Sequence, residues 1–165
     1  MLATDTIAPD FCLPDECNEA VSLSALLAAG PLVLYFYPAD FTPGCTRQAC
    51  VMRDIHGELA AAGLQVAGVS PQGPASHARF RKRYGLPFTL LSDTGKETIR
   101  RYGADGPFGI GVRRVTYLIE ALPPGERQAE SGRRRGRIAA ALRADLRIGR
   151  HEVFVRRALE LAAAG

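Results

Sequence analysis

Cys45 and Cys50 are the side chains of this chain best placed to do chemistry, and they follow the segment Pro38-Ala39-Asp40-Phe41-Thr42-Pro43-Gly44. A Thr followed by Pro fits the cap and the first position of a helix. Counting from Thr42, Cys45 falls at the third helical position, inside the first turn. Free N–H groups and the positive end of the helix dipole favour an anion there. A thiolate so placed is stabilised, and the thiolate is the nucleophilic form of cysteine. The same placement also suits a small residue that merely fills the start of a helix.

Cys50 lies five residues further along the same predicted helix. Five residues rotate the side chain about 140° past a full turn and raise it roughly 7.5 Å. A disulfide needs Cα atoms within about 7 Å and converging Cβ vectors. An intact helix should therefore keep the two sulfurs apart. If they pair, the first turn must unwind. A thiol that reacts in the folded form and is resolved by local unfolding is a coherent redox cycle. A buried cysteine on a helix face is the plainer reading of Cys50.

The elements that would position this segment alternate between strand and helix. Leu32 to Tyr37 is a continuous apolar run closed by Pro38, the pattern of a strand buried on both faces. After Thr42, the residues Ala49, Met52, Ile55, Leu59 and Ala62 recur at helical spacing until Gly63. Leu64 to Val69 reads as a second buried strand, Ala75 to Tyr84 as a basic helix stopped by Gly85, and Phe88 to Leu91 as a short strand. A helix near Lys96 to Tyr102 and a strand from Arg114 to Ile119 follow. Glu120 to Gly136 is rich in Pro, Gly, Glu and Arg and predicts an exposed loop. Ile138 to Leu146 predicts a strand and Gly149 to Ala163 a final helix. Upstream, Phe11 to Leu13 is extended, and Ser22 to Ala29 is a short helix capped by Ser22 or Ser24. This order predicts one α/β domain over residues 1–165, a central sheet flanked by helices.

Composition narrows the function classes. The chain has 165 residues, 47% hydrophobic and 23% charged, which excludes wholesale disorder. Its net charge of +4 is mildly basic and lacks the aromatic-interleaved stripe of a nucleic-acid binder. No apolar run approaches the roughly 20 residues that span a bilayer, and the N-terminus does not read as a signal peptide. The expectation is a cytoplasmic protein bound to neither nucleic acid nor membrane. Its four cysteines would then be reduced at rest, with any disulfide catalytic or redox-sensing. They lack zinc-site spacing, and neither metal nor cofactor is expected.

Pro38-x-x-x-Thr42-x-x-Cys45 resembles the active-site signature of the peroxiredoxins. The longer string from Tyr37 to Cys50 resembles their bacterioferritin-comigratory, or Q-type, branch. Flanking segments agree: Ala8-Pro9-Asp10-Phe11, Val69-Ser70-Pro71, and Tyr84-Gly85-Leu86-Pro87-Phe88 through Leu91-Ser92-Asp93. The likeness runs from about residue 7 to residue 119 and resumes more loosely in the last thirty residues. It implies a thioredoxin-like fold with a mixed sheet. It further implies a thiol peroxidase for hydrogen peroxide and organic hydroperoxides. Cys45 would be the peroxidatic thiolate, Thr42 would hold the peroxide, and Pro38 would shield the pocket. Cys50 would be the resolving cysteine, forming a disulfide that thioredoxin or a similar dithiol reduces. Aligning the tail Thr116-Tyr117-Leu118-Ile119 chooses Arg114, rather than Arg113, as the cation beside Cys45. The branch implies a monomer, with a dimer as the alternative.

Other features stand apart. Cys12 and Cys17 lie outside the motif and read as incidental thiols, with a second redox pair or a rival resolving cysteine as the sharper alternative. Glu120 and the loop after it replace the tight turn usual in the family. Arg133, Arg134, Arg135 and Arg137 read as a solvated charge run, or less simply as a docking patch for an acidic reductant. His56, His77 and His151 are read as surface or packing residues. A thiol redox sensor, or a redox-switched binding protein, is the competing functional class.

Overall fold

A computed structural model describes residues 1–123 and 133–163, the side chains of 161–163 excepted. The central sheet has five strands: β3 (Leu32–Phe36), β4 (Gln65–Ser70), β5 (Thr89–Ser92), β6 (Val115–Ala121) and β7 (Gly136–Arg143). Their spatial order is β5-β4-β3-β6-β7. β3, β4 and β5 run parallel, whereas β6 and β7 are antiparallel to their neighbours, so the sheet is mixed as expected. A small hairpin precedes it, β1 (Cys12–Pro14) with β2 (Ala20–Ser22).

β3 shows why the sheet is buried on both faces. Alternate side chains of a strand point to opposite sides. Leu32, Leu34 and Phe36 join one core cluster, with Leu23, Leu27, Ile99 and Tyr117. Val33, Tyr35 and Tyr37 join the other, with Cys45, Ala49, Met52, Phe80 and Val155. Helices α1 (Leu23–Ala28) and α5 (Glu97–Arg101) thus cover the first face. Helices α2 (Pro43–Asp54), α3 (His56–Ala61), α4 (Pro74–Tyr84) and α6 (Gly149–Ala163) cover the second.

Several boundaries sharpen or correct the sequence reading. Ser22, not Ser24, caps α1, its side chain accepting from the Ala25 N–H at 3.1 Å. α4 ends at Gly85 in the left-handed conformation, φ 60°. The helix expected from Thr42 to Ala62 is two helices, α2 ending at Asp54 and α3 starting at His56, with Ile55 (φ −97°, ψ 0°) at the joint between them. The expected loop from Glu120 to Gly136 is shorter than predicted: β6 continues to Ala121, β7 starts at Gly136, and the Leu122 N–H donates to the Arg135 carbonyl. The rest of that predicted loop, 124–132, lies outside the described residues. The last strand ends at Arg143 rather than Leu146.

The N-terminal segment adds to the sheet edge. Ile7 bridges Arg137, and the N–H groups of Asp5 and Ala8 donate to the Ile138 and Gly136 carbonyls at 2.8 Å. These bonds cover the first half of β7, whose edge would otherwise be unpaired. Among the described residues no helix is long and apolar enough to cross a membrane.

Candidate active site

Thr42 and Pro43 start α2 as the sequence predicts. Thr42 is the cap, in extended conformation (φ −71°, ψ 145°), and Pro43 is the first helical residue. The Thr46 N–H closes the first turn onto the Thr42 carbonyl at 2.9 Å. Cys45 therefore occupies the third helical position, and it is 1% exposed. The Thr42 hydroxyl does not cap the helix; it donates to the Ala39 carbonyl at 3.2 Å. The first-turn amides are thus left without a side-chain cap, and the hydroxyl's lone pairs remain available. Pro38, half-buried, closes β3 just ahead of this loop.

Arg114 meets Cys45 across the sheet end. Its Nη2 donates to the Cys45 Sγ at 3.2 Å, and its Nη1 donates to the Asp145 carbonyl at 2.9 Å. The Arg114 N–H in turn donates to Asp145 Oδ1 at 2.9 Å. Asp145 thus grips both ends of Arg114 and aims its planar head at the sulfur. Arg113 does not reach the sulfur in this way; it lies beside a groove of about 410 Å³ also lined by Ile110, Val112, Arg143 and Leu146. The structure therefore decides between the two arginines that strand alternation left open.

The loop between Tyr37 and Thr42 is held by a buried polar cluster that sequence reasoning missed. Asp40 Oδ1 accepts from the Tyr37 hydroxyl at 2.7 Å, and Asp40 Oδ2 from the Ser76 hydroxyl at 2.7 Å. His77 Nδ1 lies 2.9 Å from Asp40 Oδ2, and its Nε2 lies 3.2 Å from the Leu91 carbonyl. Both ring nitrogens thus lie within hydrogen-bond reach of oxygen partners. Burial alone would raise the Asp40 carboxyl, but hydrogen bonds from His77 and Ser76, and the His77 charge, outweigh it and hold the carboxyl below its usual range. The sequence signal was present in the spacing of Asp40, two residues before Thr42, and in a histidine on the inner stripe of α4. Phe41, next in line, has φ 62° and rests its ring on Phe80 at 5.1 Å.

His151 holds the other side of the site. It is fully buried, accepts from the Thr116 hydroxyl at 2.8 Å and donates to the Ala144 carbonyl at 3.0 Å. Burial lowers its proton affinity, partly countered by the Ala144 hydrogen bond and reinforced by the Arg114 charge, which favours the neutral ring. His77 and His151 thus brace the two segments that converge on Cys45. His56 is half-buried against Phe88.

Cys50 is half-buried in α2, and all four cysteines are free thiols. Both Cys45 and Cys50 lie within one unbroken helix, which keeps them from bonding in this form. Cys12 and Cys17 are exposed on the N-terminal hairpin, outside the core cluster that buries Cys45. Asp15, Glu16 and Cys17 come close enough together to suggest a metal site. However, Asp15 Oδ1 already accepts from the Cys17 and Glu19 N–H groups, and Glu16 is bound by Arg81, Thr89 and the Leu90 N–H. Those bonds make it a brace for the turn. Arg133, Arg134 and Arg135 border a groove with Asp10, Arg101, Ala8 and Leu23. Ala8 and Leu23 belong to the core face opposite α2, so this run does not adjoin Cys45.

The family model described as AhpC/TSA matches residues 4–122. The chain is 47% identical over 114 residues to a chloroplastic peroxiredoxin Q of Oryza sativa subsp. japonica, covering 68% of this chain and 52% of that protein. It is 46% identical over 114 residues to a chloroplastic peroxiredoxin Q of Arabidopsis thaliana, with the same coverage. The chain spans about half the length of these curated relatives. Among solved structures, the peroxidoxin BcpB of Mycobacterium tuberculosis superposes with a TM-score of 0.81 at 29% identity, covering 99% of this chain and 98% of that one. A Xanthomonas campestris peroxiredoxin Q mutant follows with a TM-score of 0.76 at 26% identity, covering 92% and 90%. The thioredoxin-like fold implied by the sequence resemblance is the fold observed. A first helical turn that presents a buried cysteine to an arginine stands here on a scaffold and sequence shared with these proteins: the chain belongs to the AhpC/TSA family, in its peroxiredoxin Q branch.

Proposed function

We propose that this chain reduces hydroperoxides, with Cys45 as the attacking thiolate and Cys50 as the thiol that resolves it. The observation that carries this reading is the Arg114 Nη2 to Cys45 Sγ hydrogen bond of 3.2 Å at a buried helix start. A guanidinium fixed there favours the thiolate and stabilises charge on the leaving oxygen.

In the first step the Cys45 sulfur attacks the terminal oxygen of ROOH. An S–O bond forms, the O–O bond breaks, and RO⁻ leaves to take up a proton as ROH. Cys45 becomes a sulfenic acid, the first and reversible rung of cysteine oxidation. The Thr42 hydroxyl, donating to Ala39, presents lone pairs that could accept from the peroxide O–H. Pro38 limits solvent entry. In the second step the Cys50 thiolate sulfur bonds to the Cys45 sulfur, the S–O bond breaks, and the hydroxyl leaves with one proton as water. A thioredoxin-like dithiol then reduces the disulfide and is itself oxidised to a disulfide.

The protein would act in the cytoplasm as a monomer. Cys45→Ser should abolish peroxide turnover. Cys50→Ser should retain one stoichiometric reaction and lose the thioredoxin-coupled cycle. Full cycling in Cys50→Ser would overturn the resolving role. Rapid oxidation of Cys45 without any thioredoxin-coupled turnover in the unaltered protein would favour a redox sensor instead.

A further inference from the structure

The inner stripe of α2 is Cys45, Gln48, Ala49 and Met52. One member is an amide where the pattern calls for an apolar side chain. Gln48 is fully buried, and neither its Oε1 nor its Nε2 has a hydrogen-bond partner. The buried Thr46 hydroxyl oxygen, two residues before it, is likewise unpartnered. Six such buried side-chain atoms occur among the described residues; three belong to Thr46 and Gln48, and a fourth is the Nε of Arg114. They concentrate in the segment between the two thiols and in the cation that touches Cys45.

A buried polar group without a partner carries its full desolvation penalty. Unwinding the start of α2 would return Gln48 and Thr46 to water and remove that penalty. The resolving step requires this unwinding, because Cys45 and Cys50 cannot meet within an intact helix. We propose that Gln48 is a positioning residue that biases the start of α2 toward opening, and so speeds the step in which Cys50 displaces hydroxyl from the Cys45 sulfenic acid. This rests on the peroxidase reading given above. A penalty of this kind shifts an opening equilibrium by roughly 5- to 150-fold.

The assignment predicts opposite effects of one substitution on two rates. Gln48→Met keeps an unbranched chain of similar length and removes the amide. Stopped-flow measurement with hydrogen peroxide should show disulfide formation slowed about tenfold relative to sulfenic acid formation. Mass spectrometry should show more Cys45 sulfinic acid at high peroxide, since a longer-lived sulfenic acid oxidises further. Gln48→Leu should behave alike and serves if the Met variant does not fold. Amide hydrogen exchange gives a reading free of peroxide chemistry: N–H groups of residues 48–52 should exchange about tenfold faster in the unaltered reduced protein than in either variant. Unchanged exchange, or resolution as fast as in the unaltered protein, would overturn the proposal. Slowing of the first step alone would overturn it too, and place Gln48 in peroxide binding. If disulfide mapping of the unaltered protein finds no Cys45–Cys50 bond, the resolving assignment fails, while the exchange data still decide whether Gln48 loosens α2.

Discussion

Arg114 reaches the Cys45 sulfur because residue 44 has no side chain. A Cβ on Gly44 would stand 2.7 Å from Arg114 Nη2 and 3.2 Å from Ile148 Cδ1. The guanidinium thus crosses the helix start over the bare backbone of Gly44 to its 3.2 Å contact with the thiol.

Gly44→Ala should separate activity from stability. The clashing atom is the end of a flexible side chain, so the fold can yield by moving Arg114. Alanine is also favoured over glycine in a helix by up to about 1 kcal/mol. The expected result is a Tm unchanged or slightly raised, with the second-order rate constant for hydrogen peroxide lowered by roughly 10- to 100-fold. Full activity would mean that the Arg114 contact is dispensable.

Arg114 itself should tolerate no conservative exchange. Arg114→Lys keeps the charge but cannot bond the Asp145 carbonyl and the sulfur through two fixed N–H groups. A loss of roughly 10²- to 10³-fold in peroxide rate is expected. Asp145→Ala removes a side-chain acceptor for the Arg114 N–H and leaves the carbonyl in place, so its effect should be smaller. Rapid-mixing kinetics on the two variants would rank them.

The Asp40–His77 pair should govern stability. Their side chains are almost wholly buried, at 1% and 0% exposure. Removing one partner of a buried pair leaves the other uncompensated, which costs about 3–5 kcal/mol. Asp40→Asn and His77→Leu should each lower the urea midpoint sharply, and the double variant should lose less than the sum. Additive losses would show that the two side chains act independently.

Stability should also fall on the acid side of neutrality because of His151. Its folded proton affinity lies below the ordinary value of 6.5, so the unfolded chain binds the proton more readily. Its neutral-state contribution is complete above about pH 6.5 and declines as pH falls through that value toward the lower folded one. Asp40, whose folded carboxyl is lowered from 3.8, keeps its contribution until pH falls below that range. Urea unfolding from pH 7.5 to 5 should therefore show a decline that flattens in His151→Gln. A slope unchanged by that substitution would assign it to another group.

Cys12 and Cys17 should be silent in catalysis. Both are exposed on a hairpin outside the cluster around Cys45. Peptide mapping after one equivalent of peroxide should find Cys45–Cys50 in the Cys12→Ser, Cys17→Ser double variant as in the unaltered chain. A disulfide to Cys12 or Cys17 in the unaltered chain would reopen the resolving assignment.

What the sequence by itself determined is local. A Thr-Pro start, a cysteine three residues past the cap, and a second cysteine at an unbondable helical spacing follow from residue order and from the period of a helix. The apolar run of β3, the glycine stop of α4 and the alternation of strand and helix are of the same kind. What only the tertiary structure decided is contact between segments far apart in the chain. Arg113 and Arg114 differ by one position, and which of them meets a thiol 69 residues away depends on how β6 lies against α2. Asp40 became visible as the centre of a cluster only when α4 brought His77 beneath it, 37 residues on. Nothing in residue order distinguishes Gln48 from any other polar residue on a helix, because its burial depends on what packs over it. Sequence periodicity reports which way a side chain points; it is silent on whether a partner waits there, and at this site that decides the chemistry.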